Sequence, residues 1–258
     1  MDMEFKEKFI RLWKDYFNNA EFPIIFYYTN EIGNSELAAP DSLPMCVIGA
    51  LSKVRKGASL CFNSDSIGCP GGKKYFGFTE MTMPNLPNFE FFLSCGIPGE
   101  LEGERYKKSP EIVKEFMQNM PSFSAPSPLI VFKRWDHIEE SDEPEVVIFF
   151  ARPDVLSGLF TLTGFDTVEL DGVHSPFGAG CATIVHYPYL EIYSDQPKGV
   201  IGMFDVSARP FVRKDELTLA VPMKKFVKMV ENMEESFLIT ESWEKVKKRI
   251  SMPGNQNI

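Results

Sequence analysis

Two stretches of small residues each contain a cysteine. Residues 68–72 read GCPGG around Cys69, and residues 178–181 read GAGC and end on Cys181. Cys69 falls in the turn before a short predicted helix, where unpaired N–H groups and the positive end of the helix dipole favour a thiolate. A thiolate binds metal ions and attacks electrophiles, and neighbouring glycines let a ligand approach the backbone closely. The predicted ligand contacts are the glycines of these two stretches: Gly71, Gly72 and Gly180.

Two further features could take part in this chemistry. Cys46 falls in the first turn of a helix that the sequence predicts from Met45 to Val54. Asp205 and Arg209 are four residues apart and follow a predicted strand. The spacing favours an ion pair between them, and the alternative is that Arg209 binds the carboxylate or phosphate of an anionic ligand.

The composition limits the classes of function. The chain has 258 residues, with 27 Lys and Arg against 36 Asp and Glu, and a formal net charge of −9. This excess of acid argues against nucleic acid as the partner and against a polybasic membrane anchor. Five cysteines cannot all pair within one chain, and no secretory signal or membrane-spanning apolar run is found. The prediction is a cytoplasmic protein whose thiols are free or bound to a metal.

Strands and helices must bring the cysteines together. An amphipathic helix with an aromatic face is predicted for residues 5–17, and short apolar runs at 24–28 and 145–150 predict buried strands. Strand-to-helix steps at 146–162 and 217–233 predict helices that pack on the faces of a mixed β-sheet. The predicted fold class is therefore α/β.

The chain contains no repeat and no flexible linker. Residues 1–250 are predicted to form a single compact domain, or two intimately packed lobes that divide near the Pro-rich residues 121–128. The last residues, 251–258, are predicted to be a disordered tail.

Several of these segments together resemble a known family. They are a strand at 23–27, Cys46 at the start of a helix, the cysteine-Pro-Gly segment at 68–78, a strand-Pro-Asp segment at 146–156, Gly180-Cys181, the late strand to Arg209, and an acidic run that ends at Pro222. From Phe22 to Met233 the chain resembles an uncharacterised family of archaea and anaerobic bacteria, domain of unknown function 169. The resemblance implies no established activity.

The resemblance does imply which cysteines matter. Cys46, Cys69 and Cys181 sit at positions of the family pattern, whereas Cys61 and Cys95 are additions in this chain. The first hypothesis is therefore that those three thiolates hold an iron–sulfur cluster or a metal ion such as zinc. The fourth ligand would come from Cys61, His174 or an exogenous group.

Two other hypotheses remain open at this point. One is a metal-free protein that binds a small anionic molecule in a pocket near Cys69, Cys181 and Arg209. The other is an enzyme in which Cys69 or Cys181 is the nucleophile and a histidine is the base. No G-x-G-x-x-G, Walker A, G-x-S-x-G or H-E-x-x-H motif occurs to favour a familiar reaction.

Overall fold

A mixed β-sheet organises the protein. The computed structural model describes residues 1–18, 20–39, 46–80 and 87–251. Within them the strands, β1 to β8 in chain order, are Ile24–Thr29, Glu36–Leu37, Leu60–Phe62, Leu129–Arg134, Val146–Ala151, Val173–His174, Gly199–Gly202 and Leu217–Pro222. They form one eight-stranded sheet in the order β2-β3-β4-β1-β5-β8-β7-β6. The outermost pairs, β2–β3 and β6–β7, are parallel, and the other neighbours are antiparallel.

Helices cover both faces of this sheet. In chain order, α1 to α9 are Met3–Phe17, Val47–Arg55, Pro70–Tyr75, Phe89–Phe92, Pro110–Asn119, Pro153–Thr163, Tyr187–Glu191, Met223–Asn232 and Glu241–Ile250. A π-helix, Ala182–His186, leads directly into α7. Local sequence sets several of these starts: Asp2 caps α1 by accepting from the Glu4 amide at 2.8 Å, and Pro153 opens α6.

The sheet separates two hydrophobic cores. Helices α1, α6, α8 and α9 enclose one core, whose largest side chains include Trp13, Trp135 and Phe226. Helices α2, α3 and α7 and the π-helix enclose the other core. Because successive side chains of a strand point to opposite faces, Phe26 of β1 enters this second core while its neighbour Ile25 enters the first.

The architecture confirms the predicted α/β fold, a mixed sheet with helices on its faces in a single compact structure. Strand β5 lies between β1 and β8, as its continuous apolar sequence predicts. The lobe boundary near 121–128 stays a prediction; within that segment the Ala125 amide donates to the Gly77 carbonyl at 2.9 Å. Of the predicted tail, residues 252–258 lie outside the described residues.

No helix in the described part of the chain combines the length and the apolar character that crossing a membrane requires.

The end of β7 passes very close to the π-helix. A Cβ atom at Gly202 would lie 2.1 Å from Oγ1 and 2.2 Å from Cβ of Thr183. The Thr183 hydroxyl donates to the Gly180 carbonyl at 2.9 Å and accepts from the Met203 amide at 3.3 Å. This hydroxyl therefore joins the end of β7 to the residue before Cys181, and only glycine at 202 leaves room for it.

We expect Gly202→Ala to lower the free energy of unfolding by about 2–3 kcal/mol, because the added methyl group overlaps a buried side chain. Chemical denaturation followed by circular dichroism measures this loss. The matched control is Gly68→Ala, since a Cβ atom at Gly68 meets nothing within 4 Å. Equal stability of the two variants would contradict the close approach at Gly202.

Candidate functional site

Three of the five cysteines lie at the starts of helices on the same face of the sheet. Cys46 directly precedes α2, whereas the sequence predicts it within the first turn of that helix, and Cys69 directly precedes α3. Cys181 directly precedes the π-helix. All five cysteines of the chain are free thiols, and among these three Cys181 is buried while Cys46 and Cys69 are half-buried.

Two glycines allow these helix starts to meet. A Cβ atom at Gly72 in α3 would lie 3.0 Å from Cγ2 of Val47, the first residue of α2. A Cβ atom at Gly180 would lie 3.4 Å from Cγ1 of Ile48 and 2.8 Å from Cβ of Ala208. The first turn of α2 therefore packs against α3 on one side and against the residue before Cys181 on the other.

The glycines thus have a packing role that the sequence does not reveal. The space beside Gly72 and Gly180 is occupied by protein side chains, and Gly71 is buried within α3. Their predicted contact with a ligand stays a prediction. What the structure adds is that the first turn of α2, which follows Cys46, lies against α3 and against the residue before Cys181.

The thiols are near enough to affect one another's ionisation. Burial raises the pKa of Cys181 well above its usual range, and the charges of Cys69, Cys46 and Asp205 raise it further. Burial also raises the pKa of Cys46, two backbone amides at the start of α2 lower it, and the charges of Cys69 and Asp205 raise it again. Without a bound cation, Cys46 and Cys181 are therefore protonated at neutral pH.

Asp205 is a site residue whose contact the sequence does not predict. Its Oδ2 accepts from the Gly180 amide at 2.9 Å, so this carboxylate holds the backbone immediately before Cys181. Its Oδ1 accepts from the amide of Ser207 at 3.0 Å and from the Ser207 hydroxyl at 2.7 Å. The sequence signal is Asp-x-Ser, a pattern typical of a turn that is closed by the aspartate side chain.

Arg209 forms a different set of bonds from the predicted ion pair with Asp205. Its guanidinium donates to the carbonyls of Met203 at 3.4 Å, Arg213 at 3.0 Å and Lys214 at 2.8 Å, and also to that of Glu216. The ion pair is therefore a wrong expectation: Arg209 closes the loop that carries Asp205. Its predicted binding of an anionic ligand stays a prediction.

The loop closed by Arg209 begins with a strained residue. Met203 has φ +70°, which is uncommon for a residue with a side chain, and it is fully buried. Its Sδ atom would lie 3.1 Å from a Cβ atom at Gly180. The strain therefore accompanies a tight contact between this loop and the backbone that leads to Cys181.

The other candidate ligands lie elsewhere. Cys61 is buried on the face of the sheet opposite to its neighbours Leu60 and Phe62, and burial raises its pKa to about 11. His174 is in the edge strand β6, with its Nε2 3.5 Å from Glu191. Their predicted role as the fourth ligand stays a prediction. Among the described residues, no three His, Cys, Asp or Glu side chains are grouped as ligands of a single metal ion.

His186 is buried one turn of the π-helix beyond Cys181. Its Nε2 donates to the Pro121 carbonyl at 2.7 Å, and its Nδ1 has no hydrogen-bond partner among the described residues. Burial lowers the pKa of His186 to about 4; the bond to Pro121 raises it and the charge of Lys74 lowers it further. At neutral pH the ring is therefore neutral and its Nδ1 is an unused acceptor.

A family model gives the sequence relationship of this chain. The model of domain of unknown function 169, described as an uncharacterised ArCR, matches residues 15–232. The match includes the three cysteines of the site, Asp205 and Arg209. No curated protein and no solved structure matches the chain. The ligand and the reaction therefore have to be inferred from the site.

The buried His186 predicts a loss of stability in acid. An unfolded histidine binds a proton below about pH 6.5, whereas folded His186 does so only below about pH 4. In this window the unfolded chain binds more protons, so the free energy of unfolding falls as the pH is lowered from 6.5 to 4. At pH 4, His186 alone lowers the free energy of unfolding by about 3 kcal/mol relative to neutral pH.

His186→Gln keeps a donor for the Pro121 carbonyl but does not titrate. We expect its stability to fall less steeply between pH 6.5 and pH 4 than that of the wild type, in urea denaturation at a series of pH values. His137→Gln, at a half-exposed histidine side chain, is the control. Parallel curves for wild type and His186→Gln would contradict the buried neutral ring.

Proposed function

Because the chain belongs to the family of domain of unknown function 169, whose description assigns no activity, we propose its function from the site: Cys46, Cys69 and Cys181 bind a metal cofactor, best an iron–sulfur cluster. The observation that supports this proposal is that the three segments carrying these thiols pack against one another, and that the charges of the thiols affect one another's ionisation. The other two thiols are apart from them, Cys61 on the opposite face of the sheet and Cys95 on the surface.

The surroundings of the thiols suit a cluster. In a four-iron cluster each ligating thiolate binds a different iron atom, so the three sulfur atoms need not meet around one ion. Helix starts present unpaired N–H groups, and hydrogen bonds to the sulfur atoms of a cluster help set its reduction potential. Three cysteines leave one iron of a four-iron cluster for an exogenous ligand or a substrate.

The proton balance of the site also favours a bound cation. Thiols with raised pKa values that lie close to one another and to Asp205 are protonated when the site is empty. A cation that binds their thiolate form displaces these protons and offsets the repulsion among the negative charges. Affinity for the metal should therefore rise with pH.

The other two hypotheses receive less support. The proposed anionic ligand would need Arg209, whose guanidinium already donates to four backbone carbonyls. A nucleophilic Cys181 would need an accessible thiolate, whereas this thiol is buried and its pKa is raised. The cytoplasmic location that the sequence predicts is part of our proposal, because a reducing compartment keeps such thiols available for metal.

The proposal is tested by purifying the protein without oxygen and reconstituting it with ferrous iron and sulfide. We expect iron and sulfide to bind in stoichiometric amounts, with visible absorption from thiolate-to-iron charge transfer. Cys46→Ser, Cys69→Ser and Cys181→Ala should each lower the bound iron by about tenfold or more, because losing a ligand costs more than losing an outer-shell partner. Iron, sulfide and zinc are measured per chain in every sample.

Cys95→Ser is the matched control, because it removes an exposed thiol outside the site. Circular dichroism of each metal-free variant establishes that it is folded. If the protein binds stoichiometric zinc and no iron, the proposed metal site stands, but its metal is zinc and not an iron–sulfur cluster. A colourless wild type with neither metal, or an equal loss of iron in Cys95→Ser, would contradict the proposal.

A further inference from the structure

A long excursion of the chain starts and ends at one place on the protein. The Glu80 carboxylate accepts from the Ser124 hydroxyl at 2.9 Å, and the Gly77 carbonyl accepts from the Ala125 amide at 2.9 Å. Gly77 has φ +74°, and a Cβ atom there would lie 2.6 Å from the Ala125 nitrogen, so only glycine allows this approach. The two ends of the excursion are therefore fastened together.

Most of this excursion folds on itself. We refer to residues 88–119 as the flap; it contains α4 and α5. Between these helices the Glu104 amide donates to the Phe92 carbonyl at 2.7 Å, and the Lys107 amide donates to the Leu93 carbonyl at 3.0 Å. The flap therefore has a backbone structure of its own, independent of the sheet.

The flap takes no part in either hydrophobic core. Val113 of α5 is fully buried, yet it belongs to neither core, and Lys114 of α5 pairs with Glu90 of α4 at 3.3 Å. Where the structure describes the chain, every hydrogen bond and ion pair of the flap connects two of its own residues. A segment that shares no core with its surroundings can open as a unit at low cost.

The flap meets the rest of the protein at Phe177. The Phe116 ring of α5 meets the Phe177 ring edge-on, with 5.5 Å between the ring centres. The Lys107 ammonium lies 3.8 Å from the centre of the Phe177 ring and 4.8 Å from that of Phe116. Cation–π contacts are weak at an exposed site, so these three side chains form a latch that can open and close.

Phe177 is the fixed half of this latch. Its carbonyl accepts from the Tyr187 hydroxyl at 3.0 Å, and a Cβ atom at Gly178 would lie 3.0 Å from the Tyr187 ring. Tyr187 is the first residue of α7, which packs against the sheet. Four residues after Phe177 comes Cys181, which is 9% exposed. The latch therefore joins the flap to the start of the segment that leads to this buried thiol.

We propose that the flap opens and closes over residues 177–181, that Lys107 and Phe116 latch it shut on Phe177, and that its opening admits small solutes to Cys181. The fastened ends at Gly77 and Ala125 stay together in both states and serve as the hinge. This movement needs no bound metal. A wild type that binds no iron would overturn the proposed cofactor and leave the flap as it is.

The test measures how fast N-ethylmaleimide alkylates individual thiols of the full chain, without added metal, by mass spectrometry. Cys181 reports on the flap. Cys61, which is fully buried on the opposite face of the sheet, reports on unfolding of the whole structure. Lys107→Met keeps the length of the side chain, removes its charge and leaves residues 177–181 unchanged. We expect it to raise the alkylation rate of Cys181 about fivefold and to leave that of Cys61 as in the wild type.

Two matched variants control for other effects of substitution. Lys107→Arg should alkylate at the wild-type rate, because a guanidinium also binds the faces of aromatic rings. Phe177→Ala should raise the rate at Cys181 at least as much as Lys107→Met does. Phe160→Ala, at a phenylalanine of α6 that is likewise 50% exposed, should change neither thiol. An unchanged rate at Cys181 in Lys107→Met, or equal rises at Cys181 and Cys61, would overturn the proposal.

Hydrogen exchange followed by mass spectrometry locates the movement. In Lys107→Met and Phe177→Ala, peptides from α5 should exchange faster than in the wild type, whereas peptides from β1 and β5 should not change. Faster exchange in these strands as well would show a general loss of stability, and the flap would then not be a separate moving unit.

Discussion

The packing of α2 against two glycines is the constraint on which the site depends. A Cβ atom at Gly72 would lie 3.0 Å from Cγ2 of Val47 in the first turn of α2, and one at Gly180 would lie 2.8 Å from Cβ of Ala208. A larger residue at Gly72 would push α3 away from α2, and one at Gly180 would push the segment before Cys181 away from Ala208. Burial is the main cause of the raised pKa values of Cys46 and Cys181, and the charges of the neighbouring thiols and of Asp205 add to it. Asp205 and Arg209 complete the arrangement from the side of the 203–216 loop.

The sequence predicts the framework of this structure well. Apolar runs predict β1 and β5, and a helical spacing of aromatic residues predicts α1, because burial on one or both faces leaves a recognisable pattern. The resemblance to a family is what singles out Cys46, Cys69 and Cys181. Their spacing along the chain does not group them, since residues from three distant segments leave no local motif.

The details that complete the site are less visible in the sequence. Asp205 bonds an amide 25 positions away, and Arg209 finds carbonyls of its own loop where a spacing of four suggested an ion pair. Cys181 leads into a π-helix, which the sequence does not predict. That form has no sequence period of its own, and Pro188 lacks the N–H group that an α-helical bond would use.

The central claim is that three thiols from separate segments meet at one place, and it can be tested without any metal. Dibromobimane fluoresces strongly once each of its two reactive carbons has been attacked by a thiol, and it joins only thiols that are close together. The metal-free protein is treated with dibromobimane in the absence of oxygen and of reducing agent. It is then digested, and its fluorescent peptides are identified by mass spectrometry. We expect cross-linked peptides that contain Cys46 and Cys69, or either of them with Cys181, and none with Cys95. Single-ended adducts at Cys69 and Cys95 without any cross-link among the three site cysteines would contradict it.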